Sequence, residues 1–121
     1  MMKNEIPDQF WDSARCRYNS HRYFDTINHH HISDYSGDKS CELMIVECRD
    51  GRWFVEDNWG GDAKGAEGVF NPFEKGSYPT FFPSLEAANL RAAEVVSSIT
   101  GAPVADLLLE RAGRPALPIP G

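Results

Sequence analysis

At 121 residues, with 41% hydrophobic and 25% charged residues, the chain has the size of one domain and enough apolar material for a core without disulfide or metal staples. Its net charge of −6 argues against direct nucleic-acid binding, which calls for a basic footprint. The longest purely apolar run, Leu43 to Val46, is far too short to span a bilayer. The start, MMKNEIPDQFWD, lacks a basic segment followed by an apolar run, so the expectation is a cytoplasmic protein with no membrane partner.

The charge is unevenly placed. Acids and bases balance in residues 1–33 and again in 75–121, so the whole excess of −6 falls within residues 34–74. An acidic surface of this kind repels phosphate and attracts basic partners. The cysteines, Cys16, Cys41 and Cys48, are odd in number and form no CxxC, which fits reduced thiols rather than a disulfide framework.

Taken in order, Pro7 to Tyr18 reads as a first helix. Pro7 suits a first helical position, and Phe10, Ala14 and Tyr18 recur at four-residue spacing. Tyr23 to Ile32 has the residues of a strand and can pair with Leu43 to Cys48 through a connection at Ser36-Gly37-Asp38. Glu42 to Trp59 reads as a β-hairpin turning at Asp50-Gly51, because a type I′ turn needs positive φ at both central positions. That turn places Cys48 opposite Trp53, Val46 opposite Val55 and Met44 opposite Asp57, on the core face, with Asp57 at its rim. Leu43, Ile45, Glu47, Phe54 and Glu56 then share a solvated face on which Glu47 and Glu56 are diagonal neighbours.

The glycine-rich stretch 60–77 reads as a long loop or lid. The aromatics Phe70, Phe73, Tyr78, Phe81 and Phe82 fold it back onto the sheet, where Tyr78 to Phe82 can add a strand. Ser84 to Thr100 has the strongest helical pattern. Ser84 can cap it, Leu85, Ala88, Ala92, Val95, Val96 and Ile99 form an apolar stripe, and Gly101 stops it. A second short helix follows over Pro103 to Arg111. The predicted architecture is a single compact α+β domain over 1–113. It has an antiparallel sheet of three to four strands centred on the 42–59 hairpin, one N-terminal helix and two C-terminal helices packed on the sheet. The proline-rich tail over 114–121 cannot be helical.

Chemistry is sparsely signalled. His29 and His31 share a face on a strand and are the candidate metal ligands, but all four histidines lie within residues 21–31, so a closed site would need carboxylates or cysteines. The run INHHHISDYSGD resembles the first strand and loop of HNH-type nucleases. It has no downstream histidine to complete that family's metal site, so no catalytic residue is carried over. No GxSxG, Walker A or HExxH pattern occurs, and no cofactor is implied. The functional expectation is a non-catalytic acidic interaction module that binds a basic or nucleic-acid-handling protein through Glu47, Glu56, Asp57, Trp59, Asp62, Glu67 and Phe70. In size and charge it is similar to inhibitors of the anti-CRISPR, anti-restriction and immunity-protein kinds. The alternative is a small metal-dependent or thiol enzyme centred on His29 and His31.

Overall fold

The computed structural model describes residues 5–36, 39–57, 63 and 66–108. Trp59, Asp62, the Gly37-Asp38 part of the predicted connection and the tail over 114–121 lie outside the described residues. The chain is α+β, with a four-stranded mixed sheet and one long helix.

The N-terminal segment is not the predicted helix. A 3-10 turn over Asp8–Phe10 leads into a two-stranded ribbon, β1 (Trp11–Asp12) against β2 (Arg17–Tyr18). Asp12 is the reason. Its Oδ1 accepts the amides of Ala14 at 3.0 Å and Arg15 at 3.2 Å, which gives the backbone a local turn in place of a helical ladder. The ribbon brings Trp11 edge-on to Tyr18, with ring centroids 4.9 Å apart. A single helical turn, α1 (Ser20–Tyr23), follows. Asp25, with φ of 53°, then reverses the chain into the sheet.

Strand β3 (Thr26–Ser36) pairs antiparallel with β4 (Lys39–Cys48) from end to end, with a bulge at Ile27. This is the pairing the sequence predicts. Strand β5 (Trp53–Glu56) pairs antiparallel with β4, and β6 (Val69–Phe70) pairs with β5 in parallel, so the sheet order is β3-β4-β5-β6 and the sheet is mixed rather than antiparallel. Phe82 exchanges two backbone hydrogen bonds with Trp53 (3.0 and 2.7 Å), a single bridge in place of the strand predicted over 78–82.

The hairpin turn differs from the predicted one by a single residue. The Gly51 amide donates to the Cys48 carbonyl at 3.0 Å, the Cys48 amide donates to the Arg52 carbonyl at 2.8 Å, and Gly51 has φ of 94°. The loop is therefore three residues, Arg49-Asp50-Gly51, with glycine supplying the left-handed position. Glu47 pairs with Trp53, Val46 with Phe54, Ile45 with Val55 and Met44 with Glu56. One residue of slip exchanges the faces of the whole strand. Phe54 and Glu56 join Met44, Val46 and Cys48 on one side, and Val55 joins Leu43 and Ile45 on the other.

Both faces are buried. Helix α2 (Leu85–Thr100) covers Leu43, Ile45 and Val55 with Ala88, Ala92, Ala93, Val95 and Val96. Its ends are as predicted: Ser84 Oγ accepts the Ala87 amide at 3.2 Å, and Gly101 is left-handed with φ of 84°. The second helix, α3 (Val104–Leu107), is one turn, and it packs Val104 and Leu107 against the same cluster. The opposite face is closed by the N-terminal segment, where Ile6, Tyr18 and Phe24 pack with Met44, Val46, Cys48, Phe54 and Phe70. Phe54 is the hub of that second core, with ring contacts to Phe24, Phe70 and Phe81 at 5.7–6.0 Å. Phe54→Ala should therefore cost about 3–5 kcal/mol. A fall in the denaturation midpoint with unchanged m-value checks it; the solvated position of the two-residue turn would cost little.

Candidate functional site

Glu56, expected on a solvated face, is fully buried at the end of β5. Its carboxylate gathers the N-terminal segment. Ser20 Oγ donates to Oε1 at 3.1 Å, His21 Nε2 lies 3.1 Å from Oε2, and Arg17 Nη2 is 3.9 Å from Oε2. The other imidazole nitrogen, His21 Nδ1, lies 3.0 Å from Thr26 Oγ1. A neutral ring protonated at Nε2 satisfies both contacts, donating to Glu56 and accepting from Thr26. Both ring nitrogens are thus engaged, which fixes the orientation of the imidazole between β5 and β3. The cluster acts as a tie: the buried carboxylate is met by side chains of β2 and α1, and His21 passes the contact on to Thr26 of β3.

Arg17 carries the tie outward to a loop. Its guanidinium carbon lies 5.1 Å from the centroid of the Phe73 ring. Residues 71–80, which follow β6, are fastened at several points. The Tyr18 amide donates to the Pro72 carbonyl at 2.8 Å, and the Gly76 amide donates to the Tyr18 hydroxyl at 2.6 Å. Asn71 Oδ1 accepts the Phe73 amide at 3.1 Å, and Ser77 Oγ donates to the carbonyls of Asn71 and Glu74 at 2.6 and 2.7 Å. On this fixed frame Phe73 (37% exposed) and Tyr78 (55% exposed) face solvent, together with exposed Glu74. Exposed Glu67 lies just before β6, its carbonyl accepting Arg91 Nε at 2.8 Å.

The residues singled out from the sequence are therefore dispersed. Glu56, Asp57 and Phe70 are buried, and the Asp57 amide donates to the Phe70 carbonyl at 2.9 Å as part of the sheet edge. Glu47 is half-buried on the α2 side of β4, so the register puts it and Glu56 on opposite faces and dissolves the predicted carboxylate pair. Glu67 alone of the described set is exposed. His29 and His31 do share a face, with ring centroids 5.4 Å apart, and His31 Nδ1 lies 3.0 Å from Glu42 Oε2. Among the described residues no group of three or more histidine, cysteine or acidic side chains is placed to hold a metal ion. The Tyr35 hydroxyl donates to the other oxygen of Glu42 at 2.9 Å, and this bond raises its pKa. Ser20, His21 and Thr26 were missed because a lone histidine and two hydroxyls carry no spacing signal.

The two buried thiols are poorly placed to act as nucleophiles. Cys41 and Cys48 are buried, and burial, with the Asp50 charge next, pushes the Cys48 thiol up to about 11. A cleft of about 430 Å³ lies between Tyr23, Phe24, Asp25, Arg49, Asp50 and Arg52. Its charges are already paired, Arg49 with Asp25 and Arg52 with Asp50, each at 2.9 Å. Among the described residues no helix is long and apolar enough to cross a membrane. The chain matches no protein-family model, no curated protein sequence and no solved structure.

Exposure and the raised thiol pKa predict that a thiol reagent labels Cys16 in the native protein, whereas Cys41 and Cys48 react only after unfolding. The sign of the pH effect follows. A thiol whose folded pKa is raised favours the folded state below its unfolded value of 9.0, and loses that contribution as pH climbs toward about 11. Denaturant midpoints of wild type and Cys48→Ala across this interval check it: the wild-type midpoint should fall more steeply.

Proposed function

We propose that this chain is a non-catalytic interaction module that engages a basic protein surface through the loop 71–80 and the neighbouring acids. The observation that carries the reading is the display of two aromatics, Phe73 and Tyr78, on a loop fastened by hydrogen bonds and held by Arg17 and Tyr18. A loop fixed before binding loses little conformational entropy on association, and aromatic anchors with a polar rim are the usual centre of an interface. The rim carries exposed Glu67 and Glu74 beside exposed Lys75, and the segment 34–74 that leads into the loop holds the whole net charge of the chain. The tie at Glu56 supports the same reading, since it anchors Arg17 and the segment that holds the loop to the core.

In this reading the partner is a basic protein, of which nucleic-acid-handling enzymes are the commonest source, and the chain acts in the cytoplasm as an inhibitor of the anti-CRISPR, anti-restriction or immunity kind. The test uses immobilised wild type and two variants, Phe73→Ala/Tyr78→Ala and Glu67→Lys/Glu74→Lys, with lysate of the source cells at low and high salt. A single basic protein should be retained by wild type at low salt, be released as salt rises, and be lost tenfold or more from the aromatic variant, which corresponds to about 1.4 kcal/mol. The acidic variant should lose it as well. Equal retention by all three proteins would contradict the reading.

A further inference from the structure

The outer edge of the sheet leads to a different surface. Strand β3 is eleven residues long and lies at the end of the strand order, and among the described residues no strand pairs with its outer side. Natural sheets blunt such edges with lysine, proline, bulges or short strands. Thr26–Ser36 contains no lysine, arginine or proline, and its only irregularity is the bulge at the Ile27 end. Helices α2 and α3 reach β3 on the Ile32 side, across its face. On the other face Ile27 (47% exposed) and Tyr35 (62% exposed) stand at opposite ends of the strand, with exposed His29, His31 and Ser33 between them.

We infer that β3 pairs antiparallel with β3 of a second copy of this chain, about a twofold axis at His31, to join the two sheets into one. The register follows from the strand itself. Full overlap of Thr26–Ser36 with its own antiparallel copy centres on His31, and a twofold axis perpendicular to the sheet keeps like faces together. That register sets Ile27 opposite the second copy's Tyr35, so the strand's two exposed apolar side chains cover each other at both ends. It sets His29 opposite Ser33. On the α2 side it sets the Asn28 amide opposite the Asp34 carboxylate, a donor facing an acceptor. Asp34 is the sole acidic residue of the strand, so the acidity of the chain does not oppose the contact where the backbones meet. The pairing leaves the loop 71–80 out of the contact and stands independently of the function proposed above.

A cysteine cross-link reads the register directly. In a Cys16→Ser background, which removes the exposed native thiol, His31→Cys places two thiols opposite each other with Cα atoms about 4.5–5.5 Å apart, within disulfide range. Ser33→Cys in the same background places them roughly 14 Å apart along the strand, beyond that range. Under mild oxidation the first variant should run as a covalent dimer and the second as a monomer, and wild type should sediment as a concentration-dependent dimer. Ile27→Thr/Tyr35→Ser should shift that equilibrium tenfold or more toward monomer with its circular dichroism melt retained. A monomeric wild type at every concentration, equal cross-linking of both cysteine variants, or cross-linking of neither would overturn the inference. The last is also the result expected if the chain's own C-terminal segment or a different protein occupies the edge.

Discussion

The double burial of β4 is the constraint on which the rest of the fold depends. Leu43 and Ile45 face α2, Val46 and Cys48 face the N-terminal segment, and none of the four retains measurable exposure. A strand covered on both sides has no solvated face to give away, so each neighbour must supply a cover. Helix α2 does this with a stripe of small residues that let it approach closely. The N-terminal segment does it with aromatics, Tyr18 and Phe24, around Phe54. The second cover lacks regular structure of any length, and for that reason it needs a specific fastening.

Glu56 supplies that fastening. A carboxylate at the bottom of an apolar face is costly unless its oxygens are met by donors. Here the donors are the side chains of the segment that must be held down. The same arrangement reaches the surface through Arg17 and Phe73, while Tyr18 reaches Gly76. The displayed loop is thereby fastened to the core, which links the packing of the sheet to the interaction role proposed for that loop.

Much of the framework was legible in the sequence. Ser84, the apolar stripe and Gly101 define α2 almost to the residue, and the pairing of the predicted strand with β4 is found, although the strand runs over Thr26–Ser36 rather than 23–32 because Tyr23 ends the turn α1. The position of the hairpin was legible too, but its register was not, because Asp-Gly serves a two-residue turn and the last two positions of a three-residue turn equally well. The decisive clue was the unbroken run Leu43-Met44-Ile45-Val46. A strand with one wet face alternates, whereas a continuous apolar run signals burial on both sides. With both faces dry, Phe54 belongs in a core and Glu56 beneath a cover. The N-terminal aromatics misled for a related reason: their four-residue spacing matches a helix, yet Asp12 turns the chain into a ribbon that brings Trp11 and Tyr18 together. The Glu56 cluster was beyond reach, since it joins four segments through side chains that follow no local pattern.

Native-state hydrogen exchange tests the central claim, that the irregular N-terminal segment is one cooperative unit with the buried strand. The account predicts that the amides of Tyr18 and Phe24, which donate to Pro72 and Ser20, open only with the global unfolding that also releases Ile45 and Val46 of β4. It further predicts that Glu56→Gln lets the two N-terminal amides exchange sooner than those of β4. Rapid exchange at Tyr18 and Phe24 in the wild-type protein, with β4 fully protected, would show that α2 alone sustains the fold and that the second face is covered only loosely.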